Sequence, residues 1–260
     1  GSIDNNRSRM QETPTPHSST ALLCPPRSPW RQVLQSRDDQ ALITLTGLDF
    51  VTFDMVVYPF KFFFNNYTPF TKDGTIVALR KNNLGRPRLI SAADGLGLIL
   101  AWTRTRGSTM TLELIFGMTQ TAVSEYLYFV IIILIRVLQA MDDAKIKQPS
   151  IARFAEYQDA VRQRHPRLQK VWCTMDGIKL LLECAGDYKD QNQYYNGWTC
   201  NHYVSAVLVF CPDGTIPICC YNVPGMVYGS KIALIGKVNE ELETIYNLTG
   251  GCCTVDSAFA

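Results

Sequence analysis

The sequence lacks the cysteine spacing of the common small metal and redox sites. It has nine cysteines, but no Cys-x-x-Cys motif, so neither a zinc ribbon nor a thioredoxin-type site is predicted. Two adjacent pairs, Cys219-Cys220 and Cys252-Cys253, lie inside apolar runs and are typical of core residues. This use of cysteine favours a reducing compartment, either the nucleus or the cytoplasm.

The sequence also has little that predicts a membrane protein. No positively charged start followed by an apolar run marks a signal peptide. The longest apolar run, residues 126–135, is shorter than the roughly 20 residues that cross a bilayer. With 47% apolar and 18% charged residues in a chain of 260, we expect a folded protein of one large or two small domains and no membrane partner.

Acidic residues are few at the front of the chain and basic residues are few at the back. Residues 1–107 carry 13 Lys and Arg against 8 Asp and Glu, whereas residues 171–260 carry 4 against 9. A basic front part suits contact with phosphates, and an acidic back part suits the binding of cations.

Composition and periodicity divide the chain into three parts. Residues 1–37 are rich in Ser, Pro, Thr and Arg and predict a disordered tail. Residues 38–150 predict a helical region, in which the apolar pattern of residues 40–64 is broken at Gly47 and Pro59 and indicates two short helices. Residues 65–88 are typical of a loop or hairpin with its turn at Asp73-Gly74. Residues 151–260 mix strand and helix patterns, so the fold class is α+β or α/β.

Basic residues cluster in the second half of the helical region. Six cations and one acid occur between residues 80 and 106 and indicate a phosphate-facing stripe, although a solvated helix flank has the same composition. The candidate DNA-binding residues of this cluster are Arg86, Arg88, Arg104 and Arg106.

A helix-turn-helix pattern follows, at about residues 108–138. A short helix begins after Ser108, a turn is predicted at Gly117, and a second helix follows. The N-terminal part of the second helix enters the major groove in such units, so the candidate residues for base or phosphate contact are Thr119, Gln120, Thr121 and Ser124. A plain helical hairpin with exposed polar residues is the alternative.

The last 90 residues predict a small sheet with an aspartate after two of its strands. Residues 171–175 predict a buried strand that ends at Asp176-Gly177. Residues 202–211 and 215–223 predict two strands joined by a turn at residues 212–214. A helix over residues 230–246 then leads to a fourth strand, residues 252–256, which ends at Asp256.

Asp176 and Asp256 are the candidate catalytic and metal-binding residues. Two carboxylates about 4 Å apart repel by about 4 kcal/mol at an effective dielectric near 20. If the sheet brings them together, either one of them is protonated or a cation lies between them, and a hard ion such as Mg²⁺ or Mn²⁺ prefers oxygen ligands. Alternatively, Asp176 begins a turn and Asp256 caps a helix. Residues 186–201 are either a substrate loop or a connector.

The chain resembles the Harbinger-type transposases and the transposase-derived DDE superfamily endonucleases. The resemblance covers about residues 80–260, and its motifs are Met175-Asp176-Gly177, Tyr194-Tyr195-Asn196-Gly197-Trp198 with His202-Tyr203, Pro212-Asp213-Gly214, Pro224-Gly225, Ser230 and Val255-Asp256-Ser257-Ala258-Phe259, preceded by Gly85-Arg86-Pro87-Arg88, Ala101-Trp102 to Gly107-Ser108, and Phe116-Gly117-Met118-Thr119 to Ser124.

This resemblance implies a ribonuclease H-like catalytic domain, a divalent metal, and DNA cleavage and strand transfer. Asp176 would be the first metal-binding aspartate and Asp256 the second, and the family's glutamate is expected beyond Ala260. The family has His-Asp before the serine, whereas this chain has Tyr228-Gly229-Ser230.

Two hypotheses about the function follow from that resemblance. The first is a DDE-type nuclease with weak or no activity as the chain stands. The second is a catalytically inactive, domesticated DNA-binding or partner-recruiting protein. The expected partners are DNA, a separate DNA-binding protein and a second copy of the chain, and the expected location is the nucleus.

Overall fold

The computed structural model describes residues 25–67, 88–105, 108–182 and 188–259. The chain divides into two units, residues 1–144 and residues 145–260, where the sequence had predicted a boundary at residue 150. Within the described residues the first unit is helical and the second combines helices with a mixed sheet, so the fold is of the α+β class.

Six α-helices form the described part of the first unit. Each begins after a Ser, Thr or Asp whose side-chain oxygen accepts a hydrogen bond from a backbone N–H of the first turn, which satisfies a donor that the helix itself leaves unpaired. The helices are α1 (Pro29–Ser36), α2 (Asp39–Thr46), α3 (Phe50–Asn66), α4 (Ala92–Arg104), α5 (Thr109–Phe116) and α6 (Gln120–Ala140).

Helix α1 corrects the prediction of a disordered tail over residues 1–37. Trp30 of α1 is 1% exposed and packs against Phe53 and Phe116. Its ring lies so close to α4 that a Cβ on Gly97 would be 2.1 Å from Trp30 Cζ2. Burial of this one large ring orders a segment whose composition is otherwise typical of a tail. The rest of the predicted tail, residues 1–24, lies outside the described residues.

Two short helices were predicted in residues 40–64, with the apolar pattern broken at Gly47 and Pro59. The break at Gly47 is confirmed, whereas a break at Pro59 is wrong. Gly47 ends α2 with a φ of +83°, but α3 continues through Pro59 to Asn66. We attribute this continuity to the three buried rings that anchor α3 on both sides of the proline, those of Phe53, Phe60 and Phe64. The predicted turn at Asp73-Gly74 lies outside the described residues.

Helices α5 and α6 form the two-helix pattern expected around Gly117. The glycine takes a φ of +64° and donates its N–H to the carbonyl of Glu113, which ends α5. Helix α6 has the length and apolarity of a membrane-spanning helix, although no membrane segment was expected. It packs into the core of the first unit through Val123, Phe129, Val130, Ile133 and Val137.

The second unit contains α7 (Ile151–Arg164) and a mixed sheet. In chain order its remaining elements are β1 (Val171–Leu181), α8 (Tyr188–Tyr194), β2 (Tyr195–Asn196), β3 (Asn201–Phe210), β4 (Ile218–Pro224), α9 (Gly229–Ile235), α10 (Val238–Thr249) and β5 (Cys252–Val255). Strand β3 pairs antiparallel with β1, β2 and β4, and β5 pairs parallel with β1. The crossover from β4 to β5 contains α9 and α10, as a parallel connection requires.

The predicted turn between β3 and β4 is confirmed. Cys211 donates its N–H to Thr215, and Gly214 has a φ of +85°. Asp213 Oδ1 accepts hydrogen bonds from the backbone N–H of Thr215 at 3.0 Å and from its hydroxyl at 2.7 Å. An aspartate side chain that accepts a hydrogen bond from the backbone N–H two residues ahead is typical of a turn.

Two element boundaries differ from the prediction. Strand β1 does not end at Asp176, because β3 supplies backbone partners as far as Leu181. The helix predicted over residues 230–246 is broken between α9 and α10, where Lys237 has a φ of +56°. Gly236 lies against β4 at this break, since a Cβ on it would be 2.3 Å from Cys220 Cβ.

Candidate active site

Asp176, in β1, and Asp256, the residue directly after β5, each follow one of two residues that are in register between neighbouring parallel strands. Met175 of β1 is in register with Val255 of β5, and each aspartate is the next residue along its strand direction. Adjacent strands are about 4.8 Å apart, and equivalent positions place their side chains on the same side of the sheet. The sheet therefore brings together two carboxylates that are 80 positions apart in the sequence.

The local setting of Asp176 differs from the structural alternative considered for it, whereas Asp256 takes the position directly before a helix that its alternative predicted. Asp176 lies inside β1 and does not begin a turn, and its Oδ1 accepts the N–H of Gly177 at 2.7 Å. Asp256 follows β5 and precedes a short 3-10 helix, Ser257–Phe259, in which its carbonyl accepts the N–H of Phe259. Both aspartates are exposed.

A cavity of about 560 Å³ contains both aspartates. Its wall comes from five parts of the second unit: the middle of β1, the end of β2, the middle of β3, the start of α9 with the residues before it, and the segment after β5. The wall residues that matter for the chemistry are Asp176, Lys179, Asn196, Ser205, Gly229 and Asp256. The cavity is open to solvent at its carboxylates.

The ring of Phe259 lines one side of the cavity, against Gly229 and Gly177. A Cβ on Gly229 would lie 3.0 Å from Phe259 Cζ, and a Cβ on Gly177 would lie 3.4 Å from the same atom. Gly229 is thus a position where the chain backbone and an aromatic ring approach closely. An aspartate there would require Phe259 to move.

Asn196 fixes the loop at the edge of the cavity. It is 7% exposed, and its Nδ2 donates to the carbonyl of Gly225 at 2.7 Å. Its Oδ1 accepts the backbone N–H groups of Trp198 and Thr199, both at 3.2 Å. These bonds present the indole of Trp198 to solvent, 90% exposed. Sequence reasoning did not assign this role to Asn196, although an Asx turn before glycine was a signal for it.

Ser205 is a cavity residue that no sequence pattern singled out. It is 2% exposed, and its hydroxyl has no hydrogen-bond partner among the described residues. A buried hydroxyl without a partner is unfavourable by about 1–3 kcal/mol, so the cavity has a polar position that a bound molecule or water would satisfy.

The two carboxylates fit one hard divalent cation. Mg²⁺ is commonly held by one or two carboxylates, with waters and substrate phosphate oxygens completing its coordination. Within the described ranges no group of three or more His, Cys, Asp or Glu side chains is close enough to hold a metal, so these residues do not supply a third protein ligand.

The basic residues predicted to contact DNA have different settings in the first unit. Arg104 is exposed at the end of α4. The guanidinium of Arg88 lies over the rings of Phe64, at 4.4 Å, and Phe129, at 5.0 Å, and donates to the carbonyl of Tyr67. Burial lowers the pKa of Arg88. Contact with DNA would compete with these interactions. Arg86 and Arg106 lie outside the described residues.

The four polar residues predicted to contact DNA are all exposed at the start of α6. Thr119 caps this helix, its hydroxyl accepting the N–H of Ala122, and Gln120 Nε2 donates to Thr109 Oγ1 at 3.3 Å. Thr121 and Ser124 lie on the same surface, about one turn apart. This surface is therefore accessible and polar.

Comparison with known proteins gives no relative from which to transfer a function. The chain matches no family model, no curated protein sequence and no solved structure.

Proposed function

We propose that the chain is a DDE-type, metal-dependent DNA endonuclease or transposase-derived protein, related to the Harbinger-type transposases. The observation that carries the proposal is the parallel pairing of β5 with β1, which brings Asp176 and Asp256 to one open cavity. The resemblance of the sequence motifs to that family supplies the reaction class, and the geometry supports the assignment of these two aspartates.

The topology of the second unit supports a ribonuclease H-like domain. Its three long strands β1, β3 and β4 form an antiparallel meander, helices α9 and α10 follow, and β5 then returns parallel to β1. The short connection of α5 to α6 through Gly117 likewise supports a helix-turn-helix in the first unit.

In the proposed mechanism Asp176 and Asp256 hold and orient a divalent cation. When bound, such an ion supplies charge stabilisation at a phosphodiester and lowers the pKa of a coordinated water. The chain would contribute two oxygen ligands, one within β1 and one directly after its parallel neighbour β5. The exposure of both aspartates allows a DNA backbone to approach them.

Metal binding tests the proposal directly. Titration calorimetry with Mn²⁺ should show binding to the wild-type protein, and Asp176→Asn or Asp256→Asn should weaken it at least about tenfold, because each removes a charged ligand. Glu243→Gln, an exposed acidic residue of α10, is the matched control and should leave binding unchanged. Equal Mn²⁺ affinity in all four proteins would refute the metal site.

DNA binding is tested on the first unit. Affinity for duplex DNA should fall as the salt concentration rises, and Arg104→Ala should reduce the salt slope by about one if this residue neutralises a phosphate. Gln120→Ala should weaken binding to a preferred sequence more than to random DNA. Arg162→Ala, in α7 of the other unit, serves as a charge control. A salt-independent affinity would contradict the assignment.

A second candidate function is that of a DNA-binding protein that has lost catalysis. The close contact of Phe259 with Gly229, where the related family carries an aspartate, favours it. Incubation of duplex DNA with the protein and Mn²⁺ distinguishes the two candidates. Cleavage that disappears in Asp176→Asn supports the nuclease, whereas DNA binding without any cleavage supports the second function.

A further inference from the structure

The outer face of α3 carries four large apolar side chains that nothing in the described part of the chain covers. Val51 is 70% exposed, Met55 53%, Tyr58 85% and Phe62 63%. We call these four residues the α3 seam. The opposite face of the same helix is buried in the core of the first unit.

The spacing of the α3 seam is that of a coiled-coil interface. Its residues follow one another at intervals of four, three and four positions, an average close to the 3.5-residue repeat that keeps one stripe of a helix facing a partner helix. A cavity of about 640 Å³ lies along the same helix beside Tyr58 and Phe62. The four projecting side chains of the seam can act as knobs that pack between the side chains of a second helix.

Charge is present on one edge of the α3 seam and absent from the other. Asp54 and Lys61 precede Met55 and Phe62 respectively, so both lie on the same edge, seven positions apart. The other edge carries the uncharged residues Thr52, Pro59 and Asn66. In an antiparallel pair of such helices, the charged edge of one helix lies beside the charged edge of the other. In a parallel pair, the charged edge of one helix lies beside the uncharged edge of the other. Opposite charges thus face each other only in the antiparallel arrangement.

We propose that the α3 seam is a self-complementary interface that packs antiparallel against the α3 seam of a second copy of this chain. A twofold axis near the middle of the seam places Val51 against Phe62 of the second copy and Met55 against Tyr58 of the second copy. Each layer joins a smaller side chain to a larger aromatic one. The same register places Asp54 beside Lys61 of the second copy, and the twofold axis repeats every contact.

The existing partner of Asp54 is compatible with this arrangement. Arg37 donates to Asp54 at 2.7 Å and lies over the ring of Phe50 at 4.1 Å, on the side of α3 away from the seam. Asp54 therefore keeps an acceptor position for Lys61 of the second copy. Because only four apolar side chains per copy are buried, the interface is smaller than that of a standard stable complex, and we expect a weak, concentration-dependent dimer.

Sedimentation equilibrium of the full chain over a range of concentrations tests the proposal. Tyr58→Ala with Phe62→Ala should weaken self-association about a hundredfold, because the twofold axis removes each side chain twice. The control is Leu114→Ala, because Leu114 is an exposed apolar residue of α5, whereas Val137 is buried. This variant should leave the association unchanged. Circular dichroism confirms that each variant is folded.

A charge exchange tests the orientation. Lys61→Glu should weaken association about tenfold, since it places two carboxylates together at both ends of the interface. Combining it with Asp54→Lys should restore part of the association, because it re-forms an opposite-charge pair across the interface while also removing the partner of Arg37. A monomer at every concentration, or a dimer that neither the Tyr58/Phe62 nor the Lys61 substitution affects, would overturn the proposal. Metal and DNA binding by the monomeric variants would show that the proposed function does not depend on this interface.

Discussion

Trp30 donates its indole N–H to the carboxylate of Asp94 at 3.0 Å, although 64 positions separate the two residues. The same carboxylate accepts a hydrogen bond from Arg31 at 2.6 Å and also caps the first turn of α4 through Ser91. Asp94 is 2% exposed, and these three partners stabilise its buried charge. This one side chain therefore joins α1 to α4.

Asp94→Ala should destabilise the helical unit by about 3 kcal/mol or more, because it leaves the Arg31 guanidinium and the Trp30 N–H without their shared acceptor. Urea unfolding followed by circular dichroism measures the change. Glu125→Ala, an exposed acidic residue of α6, should change the free energy of unfolding by less than about 0.5 kcal/mol. Similar losses in the two variants would contradict the structural role of Asp94.

Gly97→Ala should destabilise the same unit by about 1–3 kcal/mol, because its Cβ would lie 2.1 Å from the buried ring of Trp30. Gly197→Ala is the matched control, since a Cβ at Gly197 meets no atom within 4 Å. Thermal unfolding should show a lower transition temperature for the first variant only. An unchanged transition in Gly97→Ala would mean that α1 does not pack on α4.

Asp213 should contribute to the acid sensitivity of the second unit. Burial alone would raise its pKa, but hydrogen bonds from Tyr157, at 2.5 Å, and from Thr215 outweigh burial and lower it. A carboxyl whose pKa is lower in the folded state stabilises the protein above its unfolded pKa of about 3.9, and the stabilisation is lost as the pH falls through the folded value. The free-energy difference between wild type and Asp213→Asn should therefore be full at pH 7 and shrink below about pH 4.

Tyr157→Phe checks the cause of that pH dependence. This substitution removes the hydroxyl that donates to Asp213 but keeps the Asp213 carboxyl. The loss of unfolding free energy on acidification should therefore be smaller than in the wild type. Urea unfolding at a series of pH values measures both variants. If the difference between wild type and Asp213→Asn stays constant from pH 7 to pH 2, the hydrogen bonds do not perturb this pKa.

Gly229→Asp should destabilise the protein by about 1–3 kcal/mol, because the new side chain would meet the ring of Phe259. Gly229→Asp combined with Phe259→Ala should be tolerated, since the second change removes that ring. If Asp176 and Asp256 hold a cation, the added carboxylate should also raise the Mn²⁺ affinity of the double variant above that of Phe259→Ala alone. Calorimetry on the two variants measures the difference, and equal affinities would show that position 229 does not face the metal.

Local sequence signals predicted many of the elements correctly. The turn at residues 212–214, the turn at Gly117, and the existence of strands β1, β3, β4 and β5 follow from residues that act within a few positions of themselves. The same patterns selected Asp176 and Asp256, because an aspartate after an apolar strand is a local feature. Their metal binding and catalysis remain predictions.

The sequence by itself determined the type and approximate place of most helices and strands, though not of α1, α8 or β2, because caps, turns and apolar periodicity operate between near neighbours. Only the tertiary structure decided how far those elements extend and which of them meet. Strand β1 passes Asp176 because β3 supplies its hydrogen bonds, and α1 is ordered because Trp30 packs in the core and bonds Asp94. The position between α9 and α10 that lies against Cys220 is a glycine, because a side chain there would meet Cys220. Each of these outcomes depends on a contact between residues distant in the sequence, and a local pattern carries no information about such contacts.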